Sequence, residues 1–120
     1  MQIAAQIVIG LVAFIHVYIL WLEMFAWTTK APQVFKTIPK DLFVPTKTLA
    51  ANQGLYNGFL AAGLFWSLCA PTIYALSLAN FFLGCVLVAG IYGGLTASKK
   101  IIYIQAVPAA LALLMVNLNY

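Results

Sequence analysis

Residues 49–63 read LAANQGLYNGFLAAG, and the fold of the whole chain turns on where such a stretch can be at home. Asn52, Gln53, Tyr56 and Asn57 fall within six positions of a segment that is otherwise apolar enough to cross a lipid bilayer. On a helix, at about 100° per residue, Asn52, Tyr56, Gln53 and Asn57 lie at about 0°, 40°, 100° and 140°. They form a single polar sector. Gly54, Gly58 and Ala62 follow at about 200°, 240° and 280°, a small-xxx-small ridge that lets two membrane helices approach closely. The stretch therefore predicts a helix with two working faces, one polar and one built for backbone contact.

Outward from it, the chain is uniformly apolar. Of 120 residues, 65% are hydrophobic and 7% charged, and the mean hydropathy is +1.03. A soluble domain carries roughly 25% charged residues. The apolar residues form runs without the period-2 alternation of a membrane barrel. An all-α, polytopic membrane protein is the reading. Four segments approach the about 20 residues that a span needs: 3–27, 47–70, 72–95 and 101–118. The connection at 28–46 is long. The second is little more than Ala70-Pro71-Thr72, and the third is Ala97-Ser98-Lys99-Lys100. These joints predict one antiparallel four-helix transmembrane bundle over 1–120. The first segment lacks a basic flank, is too long for a signal sequence and precedes no small-x-small cleavage site, so it is expected to stay in the protein.

Lysine sets the orientation. The basic residues are Lys30, Lys36, Lys40, Lys47, Lys99 and Lys100, with no arginine. They cluster in the first and third connections, which the positive-inside rule assigns to the cytoplasm, leaving both termini outside. The net charge of +4 is thus a topological signal, and nucleic acid is not an expected partner. Cys69 and Cys85 stand at different expected depths, so they are read as small buried apolar residues without a bridge. No HExxH, CxxC, GxSxG or glycine-rich phosphate loop occurs. No metal site is expected, and no cofactor is indicated.

Helix one carries His16 and Glu23, seven residues apart, hence about 20° apart around the axis and about 10 Å along it. Ionisable groups at such positions are costly in hydrocarbon and usually face a bundle interior. The plainer alternatives are that Glu23 reaches the headgroups to pair with a lysine such as Lys30, and that His16 is bonded to a neighbouring helix. In the first connection, Thr28-Thr29-Lys30-Ala31-Pro32 should end helix one, because the residue before proline avoids the helical region. Phe35, Ile38 and Leu42 recur at helical spacing and suggest a segment lying at headgroup level. Thr46 is a candidate N-cap for helix two. Counting depth from the flanking lysines brings Glu23 level with Asn52 and Gln53, and His16 closer to Asn57. Tyr92 and Gln105 reach comparable depth from helices three and four. The expectation is a polar cavity in the cytoplasmic half of the membrane. Glu23 would stand at its mouth, His16 at its floor, and Asn52, Gln53, Tyr56, Asn57, Tyr92 and Gln105 around it.

The segments HVYILWLEMFAWTT, TKTLAANQGLYNGFLAAG and QAVPAALALL resemble domain-of-unknown-function family 1304, a family of small bacterial membrane proteins. That resemblance covers nearly the whole chain and implies a bacterial cytoplasmic membrane, but brings no activity with it. In architecture the chain is also similar to the membrane-associated eicosanoid and glutathione enzymes, which have four helices, outward termini and an asparagine- and glutamate-bearing second helix. Those enzymes hold glutathione with arginines, which this chain lacks.

Three functions follow from these residues. The first is a site opening to the cytoplasmic leaflet that binds or converts a lipophilic small molecule, with Glu23 and His16 as proton-transfer groups. The second is a proton-coupled carrier. The third is a non-catalytic assembly subunit whose amides merely join helices. The small ridge of helix two and the little room inside four short helices suggest a homo-oligomer in contact with membrane lipid.

Overall fold

A computed structural model describes residues 1–119. Five α-helices form: α1 (Ile3–Met24), α2 (Ala31–Val34), α3 (Lys47–Cys69), α4 (Thr72–Thr96) and α5 (Val107–Leu118). A 3₁₀ turn occupies Lys40–Leu42 and a π-helical segment occupies Ile102–Ala106. There is no strand among the described residues, so the fold is all-α, as composition dictates. Helices α1 and α4 are long and apolar enough to cross a membrane. Helix α3 is as long, at 23 residues, but its amides dilute its apolar character. The α5 region is shorter.

The chain divides into two compact units, with the boundary falling inside α1 and α3. One comprises Met1–Phe14 and the chain from Leu60 onward. Its core is drawn from one face of each helix, as a period of 3.6 requires. Ala5, Ile9, Val12 and Ala13 come from α1, Ala79, Leu83 and Val86 from α4, and Ala109, Ala112 and Val116 from α5. Alanine and valine supply most of these positions, and Leu64 of α3 is buried with them. Many large apolar side chains point outward: Leu11, Phe14, Phe81, Val88, Leu95 and Leu114 are all exposed.

Two details of this unit lay outside the sequence reading. The fourth segment, expected as a plain helix over 101–118, begins with the π segment, in which the Val107 N–H reaches back to the Ile102 carbonyl. Pro108 follows immediately. It has no N–H to donate, and its ring would crowd the carbonyl four residues earlier, so the widened turn accommodates it. Gly90 of α4 packs against this turn so closely that a Cβ there would stand 2.6 Å from the Ala106 nitrogen. The second detail is an amide pair: Asn117 donates to Asn80 Oδ1 at 2.6 Å, joining α4 and α5.

The other unit is Ile15–Phe59. Helix α1 stops at Met24, well before Pro32. The chain then closes wide turns in which the Ala26 N–H meets the Trp21 carbonyl at 3.1 Å and the Ala31 N–H meets the Ala26 carbonyl at 2.9 Å. Pro32 is therefore not the terminator of helix one. It sits in the first turn of α2, where a missing N–H costs nothing. Nor is the connection merely a surface segment. Trp27, Ala31, Phe43 and Ala50 are buried together, with Phe35 and Ile38 packed against them, whereas Leu42 is exposed. The Trp27 ring lies 4.8 Å from that of Phe43 and 5.6 Å from that of Phe35. Thr46 stands where an N-cap should, its carbonyl accepting from the Ala50 N–H at 2.9 Å. Its hydroxyl turns backward, donating to the Leu42 carbonyl at 2.7 Å and accepting from the Trp27 indole at 3.0 Å. Both cysteines are free, but Cys69 is exposed rather than buried and Cys85 is intermediate.

Candidate functional site

Within the unit Ile15–Phe59, α1 and α3 meet along small residues. A Cβ on Gly54 would come within 2.6 Å of Met24 Cγ, 3.0 Å of Glu23 Cβ and 3.2 Å of the Leu20 carbonyl oxygen. Only glycine permits that approach. One turn further along, Gly58 faces the end of the Leu20 side chain. Ala62, the third member of the expected ridge, is exposed. It lies outside this unit, where the contact-forming glycine is its neighbour Gly63, set against the ring of Phe82. Gly63 lies nine residues from Gly54, about 180° around the helix, so it serves a different contact, and the ridge toward α1 consists of Gly54 and Gly58.

The close approach at Gly54 sets the chemistry. Asn57, three residues on and hence on the adjoining face, donates from Nδ2 to Glu23 Oε1 at 2.6 Å. The same amide nitrogen donates to the Gln53 carbonyl at 3.1 Å, which fixes its orientation. A bond of this length lies at the short end for an N–H donor and an oxygen acceptor. Lys30, a candidate partner for Glu23, instead donates to Gln33 Oε1 at 3.4 Å. Glu23 is half-buried and lines an open groove of about 630 Å³. Asn52, Gln53 and Tyr56 form its α3 side, and Trp27, Leu42 and Leu49 are among its apolar walls. Asn52 also donates to the Thr48 carbonyl at 2.9 Å, and the Tyr56 side chain is exposed.

His16 does not share this groove. It is completely buried and absent from the groove's lining. Among the described residues no buried side-chain nitrogen or oxygen lacks a hydrogen-bond partner. His16 shares a face of α1 with Glu23, but two helical turns separate them, about 10 Å along the axis. From α1 only Glu23 lines the groove, joined by Trp27 and the connection after it. Tyr92 and Gln105 belong to the other unit, where Tyr92 is exposed on α4 and Gln105 is half-buried in the π segment.

The walls that sequence reasoning missed are Trp27, Ile38, Leu42, Thr46, Leu49 and Ala50. One signal was present: Trp27 precedes a run holding Phe35, Ile38 and Phe43, enough apolar surface for a small cluster of its own. Chemically, the groove offers one carboxylate, an orienting amide beside it, further amides, a phenol and an apolar wall. No group of three or more His, Cys, Asp or Glu able to hold a metal ion occurs among the described residues.

Comparison with known proteins places this arrangement among relatives. The chain is 35% identical over 116 residues to the uncharacterized protein YpaA of Lactococcus lactis subsp. lactis (strain IL1403), covering 95% of this chain and 97% of the relative. No solved structure matches it. Residues 10–117 match the family described as Protein of unknown function (DUF1304). That span takes in α1 from Gly10, the whole Glu23 groove and nearly all of α5, and the chain belongs to the DUF1304 family.

Proposed function

We propose that this is a small, multi-pass protein of the bacterial cytoplasmic membrane whose Glu23 groove binds or converts a lipophilic small molecule reached from the cytoplasmic leaflet. One observation carries the reading: a half-buried carboxylate, oriented by Asn57 at 2.6 Å, lines an accessible groove with apolar walls. The volume of about 630 Å³ falls within the roughly 300–1,000 Å³ range of small-molecule sites. In this reading four segments span the bilayer, in keeping with large apolar side chains exposed on α1, α3, α4 and α5. Lys30, Lys36, Lys40 and Lys47 hold the groove's connection on the cytoplasmic side, with both termini outside. The protein acts as a homo-oligomer.

The test is a native mass spectrum of the detergent-extracted protein beside Gln53→Trp, which fills the groove from an exposed position. A lipophilic compound retained by the wild type and lost from the variant is the expected result. If neither retains a compound while Gln53→Trp keeps its thermal stability and oligomeric state, the groove has no ligand. The amides then serve only to join helices, as in an assembly subunit.

A further inference from the structure

The composition of the groove lining is one-sided. Of its ten lining residues Glu23 alone is an acid and none is a base. Its Oε1 accepts from Asn57. Lys40 and Lys47 lie close in sequence to lining residues, but both side chains are exposed and neither lines the groove.

These facts sort ligand chemistries. An anionic head would meet a partly desolvated carboxylate with no cation among the lining groups to offset it. A neutral head could donate one hydrogen bond to the carboxylate but would bring it no opposite charge. A cationic head brings both, and Trp27 and Tyr56 line the same groove, aromatic residues of the kind that attract ammonium groups. Beyond the head, Ile38, Leu42 and Leu49 supply an apolar track.

We propose that the Glu23 groove selects a lipophilic cation, an alkylammonium whose head rests at the Glu23 carboxylate and whose chain lies along Ile38, Leu42 and Leu49. This rests on the reading that the groove holds a lipophile, and the test separates the two. Trp21 and Trp66 are exposed whereas Trp27 is buried in the groove wall. A Trp21→Phe, Trp66→Phe protein in phosphatidylcholine nanodiscs therefore reports on the groove through Trp27 fluorescence. Three probes with one tail are titrated: dodecylammonium, dodecanol and dodecanoate.

The expected result is a saturable signal with the ammonium, weakened about tenfold or more in Glu23→Gln, the scale of losing one contact to a charged group. The alcohol and the carboxylate should bind at least about tenfold less well than the ammonium. Glu23→Gln preserves an oxygen for Asn57 and so retains that bond. Should it nonetheless fail to fold, Glu23→Asp, which keeps the charge and withdraws it by one methylene, is expected to lower ammonium affinity while leaving dodecanol unchanged. Equal binding of dodecanol and the ammonium, indifferent to Glu23→Gln, overturns the cation and leaves a groove for neutral lipophiles. Tightest binding by dodecanoate overturns it in favour of an anionic ligand. No saturable signal with any probe removes both the cation and the groove reading.

Discussion

At the scale of single residues, the bond between Asn57 and Glu23 decides how α1 and α3 meet. Asn57→Leu removes the donor and leaves a half-buried carboxylate without its partner. We expect a loss of about 1–3 kcal/mol in unfolding free energy, measured by thermal unfolding in detergent. Glu23→Gln should cost less, because its carbonyl still accepts from Asn57. The double variant should then fall short of the sum of the two single losses, since both act on one interaction. Glu23 stands out in the sequence because an acid in an apolar helix is rare. Counting residues inward from the flanking lysines, however, sets it level with Asn52 and Gln53 and Asn57 nearer His16, about one turn away from the pairing that forms, in which Asn57 bonds Glu23. His16 shows where that method fails. Periodicity gives a direction around the axis, and a common direction does not carry a side chain two turns along it. Trp27 is opaque for another reason: an aromatic residue at a helix end looks the same whether it anchors in headgroups or buries itself under its own loop.

At the scale of helices and turns, glycine positions separate close contact from open space. Gly54→Val should force α1 and α3 apart against Met24 Cγ and Glu23 Cβ, at a cost of about 1–3 kcal/mol, and should lengthen the Asn57–Glu23 bond. A methyl group added at Gly84 would meet nothing within 4 Å, so Gly84→Ala should be neutral or stabilising by up to about 1 kcal/mol. Parallel melts of the two variants check the contrast directly. The amide block of α3 was readable as a helix with distinct faces, since the spacing of Asn52, Gln53, Tyr56 and Asn57 suits no other element. The ends of elements were less readable. Proline marks a boundary but not its sense, which is why Pro32 looked like a stop and proved to be a start. Pro108 sits in so apolar a run that nothing beside it announces the π segment.

At the scale of the molecule, the all-α class was legible in composition, because so apolar a chain, with 7% charged residues, reads as one that satisfies its backbone within helices. The number of spans is not legible there, since α3 mixes amides into a helix of spanning length. The proposed four-span arrangement predicts that the protein stays with membranes after alkaline carbonate extraction. It also predicts that a cysteine placed at Lys36 is labelled by a membrane-impermeant maleimide only when cytoplasmic-side access is given, whereas one placed at Thr72 is labelled from outside. Both sites are best examined with Cys69 and Cys85 replaced by alanine. Labelling of Lys36→Cys from outside would invert the orientation and move the Glu23 groove to the other leaflet.

The preponderance of alanine and glycine in the interior has a consequence for how this chain can vary. In a water-soluble domain, drift is permissive on the outside and interior positions trade one bulky side chain for another. Here much of the interior has little bulk to trade: beside Ile9, Leu64 and Leu83, the alanines Ala5, Ala79, Ala109 and Ala112 are fully enclosed, and at those alanines nearly any replacement is an enlargement. The outward Leu, Phe and Val positions can exchange freely among themselves. A saturation library scored for folded protein should therefore show its most intolerant sites at the smallest residues, and a profile of hydropathy would pass over every one of them.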